Sequence, residues 1–332
     1  MARRELVDED LWKAMVLWLP PERADVRGGP PRVSNRAALA GILFVLRHGL
    51  RWRDLPLELG YGSGVTCWRR LRRWQALGVW AGVHRTLLNW LGDLGAIDWT
   101  RASLDSTSVR AKRGGEATGP NPTDRGKQGS KYHVLVDRQG VPLAVQLSAA
   151  NAHDSKLLEP LVDAVPPIRQ PVGKSGRPRF RPAKLHGDKA YDFAFCRQAL
   201  RRRGIMPRIA RRGIDSSERL GRYRWVVERT NAWILAYRRL AMRYDRQAAS
   251  VLAFLHLACA LICLRFVEHA EAEPLAQKVR RFRGFPGGHP LMASIPQSEG
   301  ERRVYWRAHH PLFQAGGRVA GVPTGRSATR CD

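Results

Sequence analysis

The chain has 332 residues, 44% of them hydrophobic and 26% charged, enough to bury a core and to divide into two domains. Its 57 Lys and Arg against 29 Asp and Glu leave a formal charge of +28, so a polyanion is the expected partner. The basic residues are spread along the chain and do not collect beside an apolar span, which puts nucleic acid ahead of an anionic membrane.

The first twenty residues, MARRELVDEDLWKAMVLWLP, start basic, but acids follow and Lys13 interrupts the apolar part. That argues against a signal peptide, and a cytosolic protein is expected. Residues 5–95 are helix-rich. NRAALAGILFVLRHG carries apolar positions at helical spacing and stops at Gly49; GSGVTCWRRLRRWQALG starts after a Gly/Ser turn and stops at Gly78. The turn-rich link LRWRDLPLELGY joins them. Such a pair, with Arg69, Arg70, Arg72 and Arg73 on the second helix, reads as a helix-turn-helix-like element whose basic face meets DNA. The alternative is a plain helical bundle with a solvated basic face, because this link is longer than the usual turn. Trp52, Trp68, Trp74, Trp80 and Trp90 are expected to pack this part's core.

From about residue 100 the period changes to two. RASLDSTSVRA reads as a strand, and KYHVLVDRQG and VPLAVQLSAA as two more, joined at Gln139-Gly140 as a hairpin. Helix SKLLEPLVDAV, a Pro/Arg-rich loop, strand AKLHGD, helix FAFCRQALRRRG and strand IMPRIA follow. Three strands, then a helix and alternating strand and helix, predict an α/β fold with a mixed sheet and flanking helices, in the order used by ribonuclease-H-like nucleases.

RYRWVVERTNAWILAYRRL reads as a helix, with Tyr223, Val226, Val227, Trp233 and Ile234 on its apolar side and Arg224, Glu228 and Asn231 on its polar side. AASVLAFLHLACALICL, residues 248–264, barely reaches the roughly 17-residue limit for spanning a bilayer. It is bracketed by Arg246 and Arg265 and reads as a buried core helix, the alternative being a membrane helix. The five cysteines form no CxxC or His-paired zinc spacing and are expected as reduced, buried thiols. Residues 270–332 are rich in Gly, Pro and Arg without a sustained period, which predicts a basic, disordered tail.

Three acids stand out on this frame. Asp105 lies mid-strand between hydroxyl neighbours, an awkward place for a charge unless a cation is bound; the alternative is a hydrogen-bonded structural Asp. Asp188 ends a later strand, at the edge where α/β sheets present ligands, or else caps the next helix. Glu228 is the best third carboxylate, its alternative a surface ion pair with Arg224. If the strands of Asp105 and Asp188 are neighbours, both carboxylates can bind one hard cation through oxygen.

The aspartate of LDSTSVRA, the aspartate of HGDKAYD and the glutamate of RWVVERTNAWILAYRRLAMRYDR, in this order, closely resemble bacterial insertion-sequence transposases of the DDE type, specifically the insertion-sequence-five family. The resemblance covers about residues 5–268 and includes GLRWRDLP, GPNPTDRGKQGSKYHVLVD and NAHDSKLLEPLVD. It implies a helical DNA-binding domain at 1–95 and a ribonuclease-H-like catalytic domain at 100–268. Asp105, Asp188 and Glu228 become the catalytic, metal-binding acids, and Arg224 the arginine four residues before the glutamate. The broader superfamily's tyrosine-arginine-glutamate-lysine signature is broken at Gly221 and Leu235, with Arg238 and Arg239 one turn on as sources of the missing charge. His153 and Asp154 match a family motif without a derivable role.

The implied chemistry is metal-assisted phosphoryl transfer with Mg²⁺, or Mn²⁺ in its place, as two ions about 3.5–4 Å apart. The implied partner is double-stranded DNA, transposon ends and target, bound by a dimer or higher oligomer in the cytoplasm at the nucleoid. Arg110, Arg113, Lys127 and Lys131 flank the first strands where a DNA backbone would pass, or else sit on a solvated loop. The competing readings are a ribonuclease-H-like nuclease without strand transfer and an inactive DNA-binding remnant.

Overall fold

The computed structural model describes residues 6–21, 32–214 and 217–272, and side chains throughout these except at 217–222. The predicted tail lies outside the described residues from 273 on, as does Cys331.

Among the described residues, the elements before the first strand are helical, and a short polar side chain sets the start of each of the first three α-helices. Asp8 accepts from the Asp10 amide to begin α1 (Glu9–Val16), Ser34 from Ala37 to begin α2 (Asn35–His48), and Ser63 from Thr66 to begin α3 (Gly64–Ala76). Gly49, with φ of 69°, ends α2 in the left-handed conformation. The link between α2 and α3 winds into two 3-10 turns, Trp52–Asp54 and Leu57–Leu59. Helix α4 (Val79–Asp93) follows at once. Trp74, Trp80 and Trp90 are buried, the first two meeting edge to face at 5.5 Å, while Trp52 stacks on Phe254 at 5.8 Å.

The sheet runs β4-β3-β1-β5-β6. β1 (Ala102–Arg110) pairs antiparallel with β3 (Gln128–Asp137), with Asp105 opposite Val134, and β3 pairs antiparallel with β4 (Pro142–Ala149). A two-residue strand β2 (Gly119–Pro120) joins the start of β3. On the other side β5 (Lys184–Gly187) and β6 (Met206–Ile209) are parallel to β1 and to each other. β1 pairs with β5 only at Ala102 and Ser103, so the two strands part just before Asp105. The hairpin between β3 and β4 turns at Gly140, whose φ of 96° favours glycine. The fully buried Asp137 holds it, Oδ1 accepting from the amides of Gln139 and Val141, both at 2.8 Å.

Alternation along β1 sends neighbouring side chains to opposite faces. Ser103 and Asp105 face α7 (Ser217–Leu235), where Ser103 Oγ donates to the Tyr223 carbonyl at 3.0 Å. Ser106 points the other way, towards the turn that opens α5 (Leu158–Asp163); α5 in turn packs on α6 (Ala194–Arg202). After the short α8 (Arg238–Ala241) comes α9 (Ala248–Ala272), packed against α4, α3 and β4. α9 is long and apolar enough to cross a membrane by length and composition, yet most of its side chains lie inside the protein. One continuous apolar core reaches from Val7 to Val267. Cys67, Cys196, Cys259 and Cys263 are free and buried in it.

Candidate active site

Asp105 projects from β1 at the point where β5 leaves it. Its Oδ1 lies 3.3 Å from Arg224 Nη2, and the same nitrogen lies 3.9 Å from Glu228 Oε1. Burial pushes the Asp105 carboxyl up to about 6; Arg224 and the Ser106 amide pull it down, and the charges of Asp188 and Glu228 push it up further. Asp188 directly follows β5, and its Oδ1 accepts from the Ala190 amide at 2.9 Å, capping the 3-10 turn Lys189–Tyr191. Glu228 stands on α7, 57% exposed. Asp188 and Glu228, from two other elements, thus both act electrostatically on Asp105, beside the point inside the sheet where β1 and β5 part.

An all-carboxylate oxygen set suits a hard divalent cation, and Asp105 is raised by burial first and by the charges of Asp188 and Glu228 second. Among the described residues no three acidic, His or Cys side chains close into a metal cage, and the positive charge paired with Asp105 is Arg224.

Comparison with known proteins bears on the same residues. The "Transposase DDE domain" family model matches residues 93–263, just over half of the chain and a span that contains all three acids. The chain belongs to the DDE transposases. This membership makes it a metal-dependent transposase or nuclease enzyme and implies a ribonuclease-H-like fold, in keeping with the mixed sheet. A second model, "Putative transposase of IS4/5 family", matches residues 7–84 of the transposase. It is 49% identical over 154 residues to the "Putative transposase for insertion sequence element IS402" of Burkholderia cepacia, covering 46% of this chain and 72% of that one. It is 53% identical over 121 residues to the "Insertion element IS402 uncharacterized 16.2 kDa protein" of the same organism, covering 36% and 82%. It is also 36% identical over 103 residues to the "Uncharacterized protein y4sN" of Sinorhizobium fredii (strain NBRC 101917 / NGR234), covering 31% and 74%.

The basic residues singled out in the sequence fall into two groups in the transposase. Arg69, Arg72 and Arg73 on α3, with Arg110, Arg113, Lys127 and Arg238, are exposed, Lys127 lying 3.6 Å from Asp124. The others serve the protein itself. Arg70 donates to Asn35 and to the Val33 carbonyl. Lys131 pairs with Asp154 at 2.9 Å. Arg239, expected with Arg238 to supply the signature's missing charge to DNA, is 4% exposed: it grips both oxygens of Asp245 at 3.0 Å and donates to the Leu50 carbonyl. Of that pair only Arg238 faces solvent.

On α7 the expected apolar side is only partly apolar and buried. Val226, Val227 and Ile234 are in the core, while Tyr223 is 36% exposed and the polar-side Asn231 is buried. Two further polar groups take roles that a linear reading does not supply: Arg243, which carries no signal in the sequence, and His153, whose motif gives no role. Arg243 is buried, and all five of its N–H donors are used. His153 Nδ1 accepts from the Ser155 amide at 3.3 Å, and its ring meets Phe193 at 5.2 Å, which makes it a cap for the turn Asp154–Leu157.

Proposed function

We propose that this transposase binds the terminal inverted repeats of its insertion sequence, cleaves the ends and joins the freed 3′-hydroxyl to target DNA. The observation that carries the reading is the placement of Asp105, half-buried where β1 and β5 part and paired with Arg224, with the charges of Asp188 after β5 and of Glu228 on α7 both raising its carboxyl. Asp105, Asp188 and Glu228 would hold the divalent cations, Mg²⁺ or Mn²⁺, with two ions expected. Bound there, such a cation supplies Lewis acidity to the nucleophile and to the leaving oxygen of a phosphodiester.

The rest falls to the chain. Its carboxylates take no covalent part, since water and then a 3′-hydroxyl serve as nucleophiles. Arg224 offsets the charge of Asp105 in its half-buried place, and its planar fork suits a phosphate. Residues 1–95 form the helix-turn-helix-like DNA-binding domain, with Arg69, Arg72 and Arg73 towards the backbone, and residues 100–268 the catalytic domain. Bringing two ends together calls for at least a dimer, acting on the nucleoid in the cytoplasm.

The test incubates the purified chain with a labelled duplex carrying its element's terminal repeat, a target plasmid and Mg²⁺ or Mn²⁺, against Asp188→Asn. End cleavage and joining by wild type alone is the expected result. Cleavage without joining would favour a nuclease that lacks strand transfer. Binding without cutting by either protein, in both metals, would overturn the catalytic reading.

A further inference from the structure

We infer that Asp154 is a positioning residue of the active site: from the far face of the sheet, its carboxylate fixes the strand that carries Asp105 against the turn that carries Asp188. The inference rests on the proposed role of those two acids as divalent-cation ligands.

The need for such a device follows from the topology. The ladder between β1 and β5 ends at Ser103, two residues before Asp105. Beyond it, strand pairing no longer sets the separation of the two acids. Two 3-10 turns pack on each other nearby, Asp154–Leu157, tied to β1 through Ser106, and Lys189–Tyr191, capped by Asp188 itself.

Asp154 ties its turn to the sheet through one oxygen. Oδ1 accepts from Ser106 Oγ at 2.9 Å and from Lys131 Nζ at 2.9 Å, and Lys131 Nζ also donates to the Ala152 carbonyl at 3.0 Å. Ser106 is the residue after Asp105 on β1, and Lys131 lies on the neighbouring β3. One carboxylate therefore grips both strands. The pair is 16% and 18% exposed, and a charge-assisted bond there is stronger than one in open water.

Two further groups converge on the same point. His133 Nδ1 lies 4.0 Å from Asp154 Oδ1, and burial lowers the imidazole to about 4, so it is neutral at neutral pH and leaves Lys131 as the counter-charge. Tyr191, in the turn capped by Asp188, is buried, and its hydroxyl has no hydrogen-bond partner among the described residues. Burial raises this phenol well above its ordinary pKa, and the charges of Asp154, Asp105 and Asp188 raise it further. Tyr191 thus feels the charge of all three acids, and its turn, capped by Asp188, packs on the turn that Asp154 opens.

A purely structural ion pair would hold the loop without regard to Ser106. Removing the Ser106 hydroxyl leaves the pair of Asp154 and Lys131 intact and cuts only the tie to β1. The test measures Mn²⁺ binding to the full chain without DNA, by the electron-paramagnetic-resonance signal of free Mn²⁺, together with thermal melting, for wild type, Ser106→Ala, Asp154→Asn and Asp105→Asn. Asp105→Asn is expected to lose Mn²⁺ binding. Ser106→Ala and Asp154→Asn are expected to weaken it about tenfold, the scale for removing a partner that orients a ligand, with Ser106→Ala melting close to wild type. Wild-type Mn²⁺ affinity in Ser106→Ala, with binding lost in Asp105→Asn, would overturn the inference even if Asp154→Asn fails to fold. Unchanged binding in Asp105→Asn would overturn the metal assignment first, and the inference with it.

Discussion

Arg224 Nη2 stands 3.3 Å from Asp105 Oδ1, so the acid of the central strand is paired with a cation carried by α7. Even with that partner, burial holds Asp105 at about 6, above its usual value near 3.8. The sign follows from that direction. Ionised Asp105 costs folding free energy once the pH exceeds about 6, and the cost fades as the pH falls towards 4 and the folded form takes up its proton.

The same proton competes with a divalent cation for Asp105. Mn²⁺ affinity of the DNA-free chain is therefore expected to hold above about pH 6.5 and to fall about tenfold per pH unit below about pH 5.5, the slope of one competing proton. Arg224→Gln removes a pull towards the ionised form and should move this break to higher pH. A Mn²⁺ titration followed by electron paramagnetic resonance from pH 5 to 7.5 reads both; a flat profile would remove Asp105 from the ligand set.

Arg243 makes a second strong prediction, this time about stability. Nε donates to the Asp245 carbonyl, Nη1 to the Ala117 carbonyl and Ser130 Oγ, and Nη2 to the carbonyls of Glu116 and Arg246. One side chain thus pins the segment before β2 to β3 and to the approach to α9. Lysine keeps the charge but cannot reach five acceptors in a fixed plane. Arg243→Lys is expected to cost about 3–5 kcal/mol, the scale for breaking a buried charged network, read as a lower denaturant midpoint with unchanged slope.

What could be read from the sequence follows from the range of the interactions concerned. The strands of Asp105 and Asp188, the hairpin at Gly140 and the apolar run of α9 are local patterns of period and punctuation, and each stands within a few residues of its expected place. Asp105 is conspicuous because a charge amid strand residues is locally anomalous. Arg239 is not readable in the same way: Arg238 and Arg239 differ by a 100° step around a short helix, and which one turns inward depends on Asp245 and on Leu50, 189 residues away. Asp154 depends likewise on Ser106 and Lys131, 48 and 23 residues distant. A linear reading registers its motif and cannot supply its partners.

The basic face of α3 separates binding from folding. Arg69, Arg72 and Arg73 are exposed, whereas Arg70 is tied to Asn35 and Val33 at the start of α2. Arg69, Arg72 and Arg73 replaced together by Gln should leave melting unchanged and make repeat binding less steep in salt, the log–log slope dropping by about 0.9 for each phosphate that is no longer neutralised. Arg70→Gln should lower the melting temperature with little change in that slope. Gel shifts across 50–200 mM salt with parallel melts distinguish the two; an unchanged slope in the triple variant would take α3 off the DNA.

Gly64 tests whether α3 must sit close to the turn before it. A Cβ built there would lie 1.6 Å from the Trp52 carbonyl oxygen, a backbone atom that cannot swing aside. On propensity alone alanine would favour the helix by about 1 kcal/mol. The clash decides the sign instead, because relief requires the first turn of α3 to part from Trp52, whose ring stacks on Phe254 of α9 at 5.8 Å. Gly64→Ala is expected to lose about 1–3 kcal/mol, the usual cost of overpacking, and to weaken repeat binding more than cleavage of an already bound end, since the acids lie on other elements. A stabilised Gly64→Ala would mean that α3 is not held against Trp52.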